Sequence, residues 1–542
     1  MSLQPLYLKQ NVVPEPLFNQ WYAWPGLIAP ATSAMFIANS HLKIMQSFVS
    51  APQVHISALK NPAMRGGPFI HYDANRVPDI KALMEKTSKE QADMLELAAA
   101  IRTLTDLLDN EANGVSLEPL YQKVPDCLKG YVELVYDLSN HPSIRFVEGL
   151  LYKSRYYRTS SQSISLSEVN HDDRPFALST PQLGGNGRVH LKIPFNSPAL
   201  DELFKMRTES QPLGYITELL GVSADDAEKF NGFFTTDAPP PPQKFNGDGV
   251  RIRYFGHACV LFESRNTSIL TDPVVSYAYP GSSERYSLAD LPAVIDYLVI
   301  THNHQDHCMF ETLLQLRHKI KQIIVPRNNG GGLADPSLKL VLRTIGFEHV
   351  SEIDEMESIK VPGGLITGLP FLGEHGDLNI RTKIAYLIQL EGKSVLCAAD
   401  SNNIEPRLYE HIQQLTGNVD IVFLGMECEG GPLSWLYGPL LTKPLARKLD
   451  QSRRLDGSDC RKGLGLVDCL KPAQVYVYAM GQEPWLNYVM SVKYTETSKP
   501  IVESNRLIED CQSRGIIAER LFGEKEILLP QRRPAELAGQ PR

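Results

Sequence analysis

No apolar run in this 542-residue chain reaches the eighteen or so residues that a membrane-spanning helix requires, so no membrane partner is expected. Positive charge is not in excess either. Lys and Arg number 54 against 62 Asp and Glu, and the net charge of -8 argues against a nucleic-acid groove as the main surface. The start of the chain, Met1-Ser2-Leu3-Gln4-Pro5, lacks the basic-then-apolar pattern of a secretion signal, which points to the cytoplasm. Cysteine is sparse and unpaired in pattern: there are eight, with no CxxC, and Cys259, Cys397 and Cys428 lie in or beside apolar runs as reduced core residues do. A hydrophobic fraction of 43% and a charged fraction of 21% describe a soluble globular enzyme. The length exceeds one ordinary core, so two domains are expected.

What the sequence does have is Thr301-His302-Asn303-His304-Gln305-Asp306-His307. The apolar run Ile295 to Ile300 before it reads as a short buried strand, and Met309 to Ile320 after it has helical spacing. The spacing lets His302 and His304 close on one metal ion, while Asp306 and His307 turn toward a second. Nitrogen and carboxylate donors in one tight turn suit zinc, iron or manganese.

The rest of the chain falls into blocks. Residues 1–235 form an N-terminal α+β region in which no chemical motif stands out. Its first residues are rich in aromatics and proline (Trp21, Tyr22, Trp24, Pro25) and suggest an ordered arm, so this half is expected to serve either homodimerisation or the docking of a partner. Asp79 to Glu111 reads as one long amphipathic helix with a capping box at Ser88 and Gln91, and Cys127 to Leu138 as a second helix. Four consecutive prolines, Pro239 to Pro242, mark a stiff linker over residues 236–248. Residues 249–531 follow as the catalytic domain, with Ile516 to Leu529 reading as a hairpin around Gly523, and 532–542 as a polar tail.

Later donors are needed to complete a two-metal site. Asp400 closes the apolar strand Ser394 to Cys397. Glu374 and His375 lie between it and the metal loop; on extended backbone these neighbours point opposite ways, so only one faces the metal. After Asp400 the only histidine is His411, on a helical stretch. Glu427, Trp435 and Tyr437 sit in a glycine-flanked segment after the strand Ile421 to Leu424, as a loop over a pocket does. Lys443, Arg447, Lys448, Arg453, Arg454, Arg461 and Lys462 make a basic stretch suited either to a solvated helix face or to docking an acidic partner. His257, in a Gly-His-Ala turn, reads as holding that turn by hydrogen bonds.

The His-x-His-x-Asp-His signature resembles that of the metallo-β-lactamase superfamily. The paired strands around Arg253 to Glu263 and the run Ile269 to Pro273 extend the resemblance over about residues 250–490. It implies an αββα sandwich, with Asp272 orienting a metal ligand. The combination of Glu374, Asp400, the long N-terminal region and Tyr476 to Trp485 further resembles the di-iron β-hydroxylases typified by chloramphenicol biosynthesis. That resemblance implies His302, His304 and Glu374 on one iron, Asp306 and His307 on the other and Asp400 between them, with Glu483 or Gln482 as a candidate for the second ion. It also implies O₂ as co-substrate, two electrons from an external donor, and an amino acid held as a thioester on a carrier domain of a nonribosomal peptide synthetase, hydroxylated at its β-carbon. Three carboxylates make a hard, oxygen-rich set, and a glutamate can bind through one oxygen or two. The competing expectation is a hydrolase of the same fold holding zinc or manganese, with His375 replacing Glu374, cutting a lactone, phosphodiester or thioester.

Overall fold

The computed structural model describes residues 5–185, 187–280 and 284–531. The polar tail, 532–542, lies outside them.

The C-terminal half is built on two seven-stranded sheets. The first runs, from edge to edge, Val350–Ile353, Ile320–Pro326, Ile295–Val299, Ser268–Thr271, Cys259–Glu263, Val250–Gly256 and Lys525–Leu529. The second runs Ser358–Val361, Gly364–Leu369, Ala385–Leu390, Lys393–Cys397, Ile421–Gly425, Gln474–Tyr478 and Ile517–Arg520. Alternation along the strands sorts side chains between layers. Val260 and Phe262 face the second sheet and share a core with Ile388, Val395, Phe423 and Tyr476. Cys259 and Leu261 face outward. Helices Arg407–Thr416, Cys460–Leu470 and Lys499–Ser513 bury the outer face of the second sheet through Ile412, Leu466 and Leu507. This is the αββα sandwich.

The N-terminal half is a separate α+β fold by sequence order, yet it supplies much of the outer cover of the first sheet. One continuous core joins Leu8, Phe18, Met35 and Leu203 to Leu261, Leu298, Phe310 and Leu313. A polar junction crosses the same boundary. Glu311, on the helix Phe310–Leu316 just after the metal loop, accepts hydrogen bonds from Arg174 Nη1 and Nη2 at 2.9 and 2.8 Å and from the Tyr277 hydroxyl at 2.9 Å. Arg174 also reaches Glu15 at 3.0 Å and lies over the Tyr488 ring. Buried charges so thoroughly paired fix the helix, and with it the end of the metal loop; removing one partner of such a cluster costs about 3–5 kcal/mol.

Several sequence expectations are corrected. The aromatic arm is spent inside its own chain: Val12–Phe18 is wholly buried, pairs with Gln162–Glu168, and leads into Trp21, which stacks on His41. The long helix is two, Val77–Glu90 and Ala92–Glu111. At the break, buried Gln91 donates from its side chain to Ser161 Oγ at 2.9 Å. Ser88 Oγ turns back to the Met84 carbonyl at 3.0 Å and makes no cap. The stretch from Cys127 to Leu138 is mainly a strand, Val132–Tyr136, paired with Pro142–Phe146. Asp137 makes the turn, accepting from the Ser139 and His141 N–H groups at 2.8 Å each, with Asn140 at positive φ. Finally, Ile517–Arg520 and Lys525–Leu529 are not a hairpin. The first joins the second sheet beside Gln474–Tyr478, and the second crosses to the first sheet beside Val250–Gly256. Residues 236–248 adopt neither helix nor strand. No helix of the described residues is long and apolar enough to cross a membrane.

Candidate metal centre

Besides the metal loop that follows Ile295–Val299, four turns after strands build the site, and each contains a non-glycine residue with positive φ: His257 (50°), Asp272 (32°), Glu374 (67°) and Ala399 (46°). Such conformations cost of order 1–3 kcal/mol each and gather where a site must aim its side chains. Asp272 follows the strand Ser268–Thr271 and accepts from the Thr301 N–H at 2.7 Å and the Thr301 hydroxyl at 2.6 Å. Its Oδ2 also lies 2.9 Å from His307 Nδ1, which leaves His307 Nε2 to face inward.

Three groups of donors, each with atoms within 4.8 Å of one another, form a chain: His302 with His304 and Glu374; His302 with His307 and Asp400; His257 with Asp306 and His307. His304 Nδ1 lies 2.6 Å from Glu374 Oε1, and His307 Nε2 lies 3.0 Å from Asp400 Oδ2. Among the described residues, His302 Nε2, His307 Nε2, Glu374 Oε2, His375 Nε2 and Asp400 Oδ1 are buried with no hydrogen-bond partner. One unsatisfied buried polar atom costs about 1–3 kcal/mol. Five around one focus are what a cation-binding pocket looks like, so this donor set fits a pair of metal ions.

His375 is the nearest competitor to Glu374 and stands apart from all three groups. The loop is not extended, because Gly373, Glu374 and Gly376 all have positive φ. The two neighbours therefore do not point opposite ways. His375 Nε2 comes to 3.0 Å from Glu374 Oε2, and its Nδ1 lies 2.7 Å from the Tyr437 hydroxyl. Tyr437 also reaches His304 Nε2 at 3.1 Å, so it braces two imidazoles under the metal loop. Burial alone would raise the Glu374 carboxyl, but the His304 and His375 imidazoles beside it hold it well below the usual carboxylate range.

His257 does more than hold its turn. Its backbone does that, donating to Glu483 Oε1 at 3.1 Å and accepting from the Ala479 N–H at 3.0 Å. Its side chain is fully buried, with Nε2 2.9 Å from Asp306 Oδ2. The sequence signal for this was available: His257 closes the strand Val250–Gly256, and the neighbouring turns that supply Asp272 and His302 also sit at strand ends. Glu483 takes the hydroxyl of Tyr254 as well as the His257 N–H, so it stands behind the site and not on a second ion. Glu427 is half-buried; burial, then the nearby Asp400, Asp306 and Glu374, push its carboxyl well above the usual range. Trp435 is 42% exposed and donates to the Gly66 carbonyl at 3.0 Å, pinning its loop to the N-terminal half.

Comparison with known proteins decides among the chemistries open to such a site. The profile described as "Diiron non-heme beta-hydroxylase N-terminal domain" matches residues 7–239, and that of the beta-lactamase superfamily domain matches 267–429. A Streptomyces venezuelae 3-hydroxylase of 4-amino-L-phenylalanyl CmlP peptidyl carrier protein is 42% identical over 531 residues, covering 96% of this chain and 99% of that one. The chain belongs to the di-iron non-haem β-hydroxylases. The crystal structure of CmlA, a di-iron β-hydroxylase from the same organism, superposes with a TM-score of 0.92 at 41% identity, covering 97% of this chain and 100% of that one. A UPF0173 protein of Pyrococcus furiosus is 29% identical over 175 residues, 32% of this chain and 69% of its own, a likeness confined to part of the chain. This hydroxylase therefore takes a pair of iron ions as its cofactor, and the hydrolase expectation is left with distant relatives alone.

Proposed function

We propose that the protein hydroxylates the β-carbon of an amino acid held as a thioester on a peptidyl carrier domain. The observation that carries this reading is the carboxylate of Glu374 beside His302 and His304, where His375 is turned onto the carboxylate. We assign His302, His304 and Glu374 to one iron, Asp306 and His307 to the other, and Asp400 between them, with the His257 imidazole alongside Asp306. With O₂ and two electrons from an external donor, such an iron pair supplies the power to turn an unactivated C–H into C–OH.

The protein's own groups do the rest. Asp272 fixes the His307 ring, and Tyr437 fixes His304 and His375. Glu374 has room to bind through one oxygen or two, since its Oε2 has no hydrogen-bond donor from the described residues. Glu427 lies beside Asp400, Asp306 and Glu374 and can offer its carboxyl to the substrate or to the metal site. Arg447, Lys448 and Arg461 are exposed and offer cations to an acidic carrier domain, whereas Lys443 pairs with Asp109 at 2.7 Å. Arg453 and Arg454 of the same stretch are used instead to pin loops, donating to the Gly376 and Gly430 carbonyls. Eight free cysteines fit a reducing, cytoplasmic setting. A homodimer would form through surfaces of the N-terminal half other than the aromatic arm, which packs within its own chain.

The test is mass spectrometry of aminoacyl-loaded carrier domains after the iron-loaded protein is reduced and exposed to oxygen. A gain of one oxygen atom at the β-carbon is expected. Hydrolytic release of the amino acid with no oxygen gained would overturn the reading.

A further inference from the structure

His257 lies beside the second proposed ion without being one of the donors assigned to it. Its imidazole is fully buried, with its ring centroid 4.8 Å from that of His307. With Asp306 and His307 it forms one of the three donor groups. Two roles fit that position. Nε2 either binds the ion through its lone pair or donates a hydrogen bond to Asp306 Oδ2, 2.9 Å away.

The other ring nitrogen separates the two roles. A neutral imidazole carries one N–H, and a histidine that binds metal through one nitrogen almost always gives the N–H on the other to an acceptor. The three assigned histidines all have such a partner. His302 Nδ1 lies 3.0 Å from Thr301 Oγ1, His304 Nε2 3.1 Å from the Tyr437 hydroxyl, and His307 Nδ1 2.9 Å from Asp272 Oδ2. His257 has none: its Nδ1 is buried without a hydrogen-bond partner among the described residues. Metal on Nε2 would strand a buried N–H at Nδ1. With the N–H on Nε2, the bond to Asp306 is made and Nδ1 is an unused acceptor.

The turn that carries His257 fixes the direction of this donation. Its backbone N–H donates to Glu483 Oε1 at 3.1 Å, and its carbonyl accepts from the Ala479 N–H at 3.0 Å. Gly256, before it, has a φ of 108°, and a Cβ there would lie 3.0 Å from Trp485 Cζ2, so the indole closes directly on the turn. A ring held this firmly is a rigid donor.

We infer that His257 is a positioning residue: its Nε2–H holds the Asp306 carboxylate in its orientation on the second ion, and the imidazole itself binds no metal. The inference rests on the proposed assignment of Asp306 and His307 to that ion. The second ion then has Asp306, His307 and the shared Asp400, and the place that an imidazole would have filled stays open to an external ligand.

The experiment has two arms, both on the full-length protein. In the first, zinc replaces iron and the histidine ring nitrogens are read by heteronuclear NMR, with His257 identified by the signals that His257→Gln removes. A proton on Nε2 and a bare Nδ1 are expected; a metal-bound Nε2 with a protonated Nδ1 would overturn the inference. In the second, iron-loaded His257→Gln and His257→Phe are compared by chelator competition and Mössbauer spectroscopy. Both replacements carry the same positive-φ strain, but only the glutamine amide can donate to Asp306. His257→Phe is expected to hold one of its two irons about 10- to 100-fold more weakly and to alter the signal of that iron alone. His257→Gln is expected to stay within about threefold with both signals kept. Equal weakening in the two variants, or none in His257→Phe, would overturn the inference. Should His257→Phe fail to fold, the NMR arm decides. Neither arm needs oxygen transfer: success in both with no oxygen gained by the aminoacyl group sinks the hydroxylase reading alone, and oxygen transfer by a protein with metal-bound His257 sinks this inference alone.

Discussion

The Asp272 carboxylate sits 2.9 Å behind His307, on the ring nitrogen opposite the one that faces Asp400. It fixes both the tautomer and the tilt of that imidazole. In Asp272→Asn the amide can still accept from Thr301, but it cannot both do so and receive the His307 N–H. Iron affinity is expected to fall about 10- to 100-fold, measured by competition with a chelator, with little change in fold by circular dichroism. Unchanged affinity would show that Thr301 alone orients the ring.

Gly425 ends a central strand of the second sheet directly beneath Asp400. A Cβ there would lie 2.6 Å from the Ala399 carbonyl oxygen and 2.8 Å from Asp400 Oδ1. Gly425→Ala must therefore displace the carboxylate assigned between the irons. Iron content is expected to drop toward one ion per chain, at a stability cost of about 1–3 kcal/mol by denaturant titration. Two tightly held irons in this variant would place Asp400 outside the bridge.

Glu374 and His375 are adjacent in sequence but differ in what they face. Glu374→Ala should lose iron or reactivity with O₂. His375→Ala should keep two irons and mainly lose stability, about 1–3 kcal/mol, because it empties a buried site and removes one of the two imidazole partners of the Tyr437 hydroxyl. Metal analysis of the two purified variants separates them, and the reverse pattern would exchange their roles.

Glu148 makes a pH prediction away from the metal site. It joins the N-terminal half to the loop after Pro326, accepting from Asn328 Nδ2 at 2.8 Å and the Ser337 N–H at 3.0 Å. Burial pushes its carboxyl up to about 7, against those two hydrogen bonds. Between the unfolded value near 4.5 and about 7, the folded chain keeps a proton that the unfolded chain has released. Stability from this group is therefore full below 4.5 and declines as pH rises through the window, by at most ~1.4 kcal/mol per pH unit. Glu148→Gln should flatten that part of the stability profile in urea titrations at pH 4 to 8; an unaltered slope would assign the decline elsewhere.

Much of this was legible in residue order. The metal loop declares itself because its donors are local, within one turn after one strand. Asp400 and Asp272 are legible because each closes an apolar strand. His257 was underrated because its backbone role in the turn is also real, and only the packing of Val250–Gly256 against Glu483 and Ala479 shows the ring facing Asp306. The relation of Glu374 to His375 depended on the positive φ of Gly373, Glu374 and Gly376, departures from extended backbone that no local pattern announces. Helix breaks and the strand Val132–Tyr136 were missed for the same reason: Gln91 and the Asp137 turn are set by partners in neighbouring segments.

The last described strand, Lys525–Leu529, zips onto Val250–Gly256, the strand that carries the chain into His257. The His257 turn is therefore braced from both sides, by Cys259–Glu263 and by a strand that is remote in sequence and contributes no proposed ligand of its own. Geometry at the metal centre is held in part by backbone pairing more than 260 residues away along the chain.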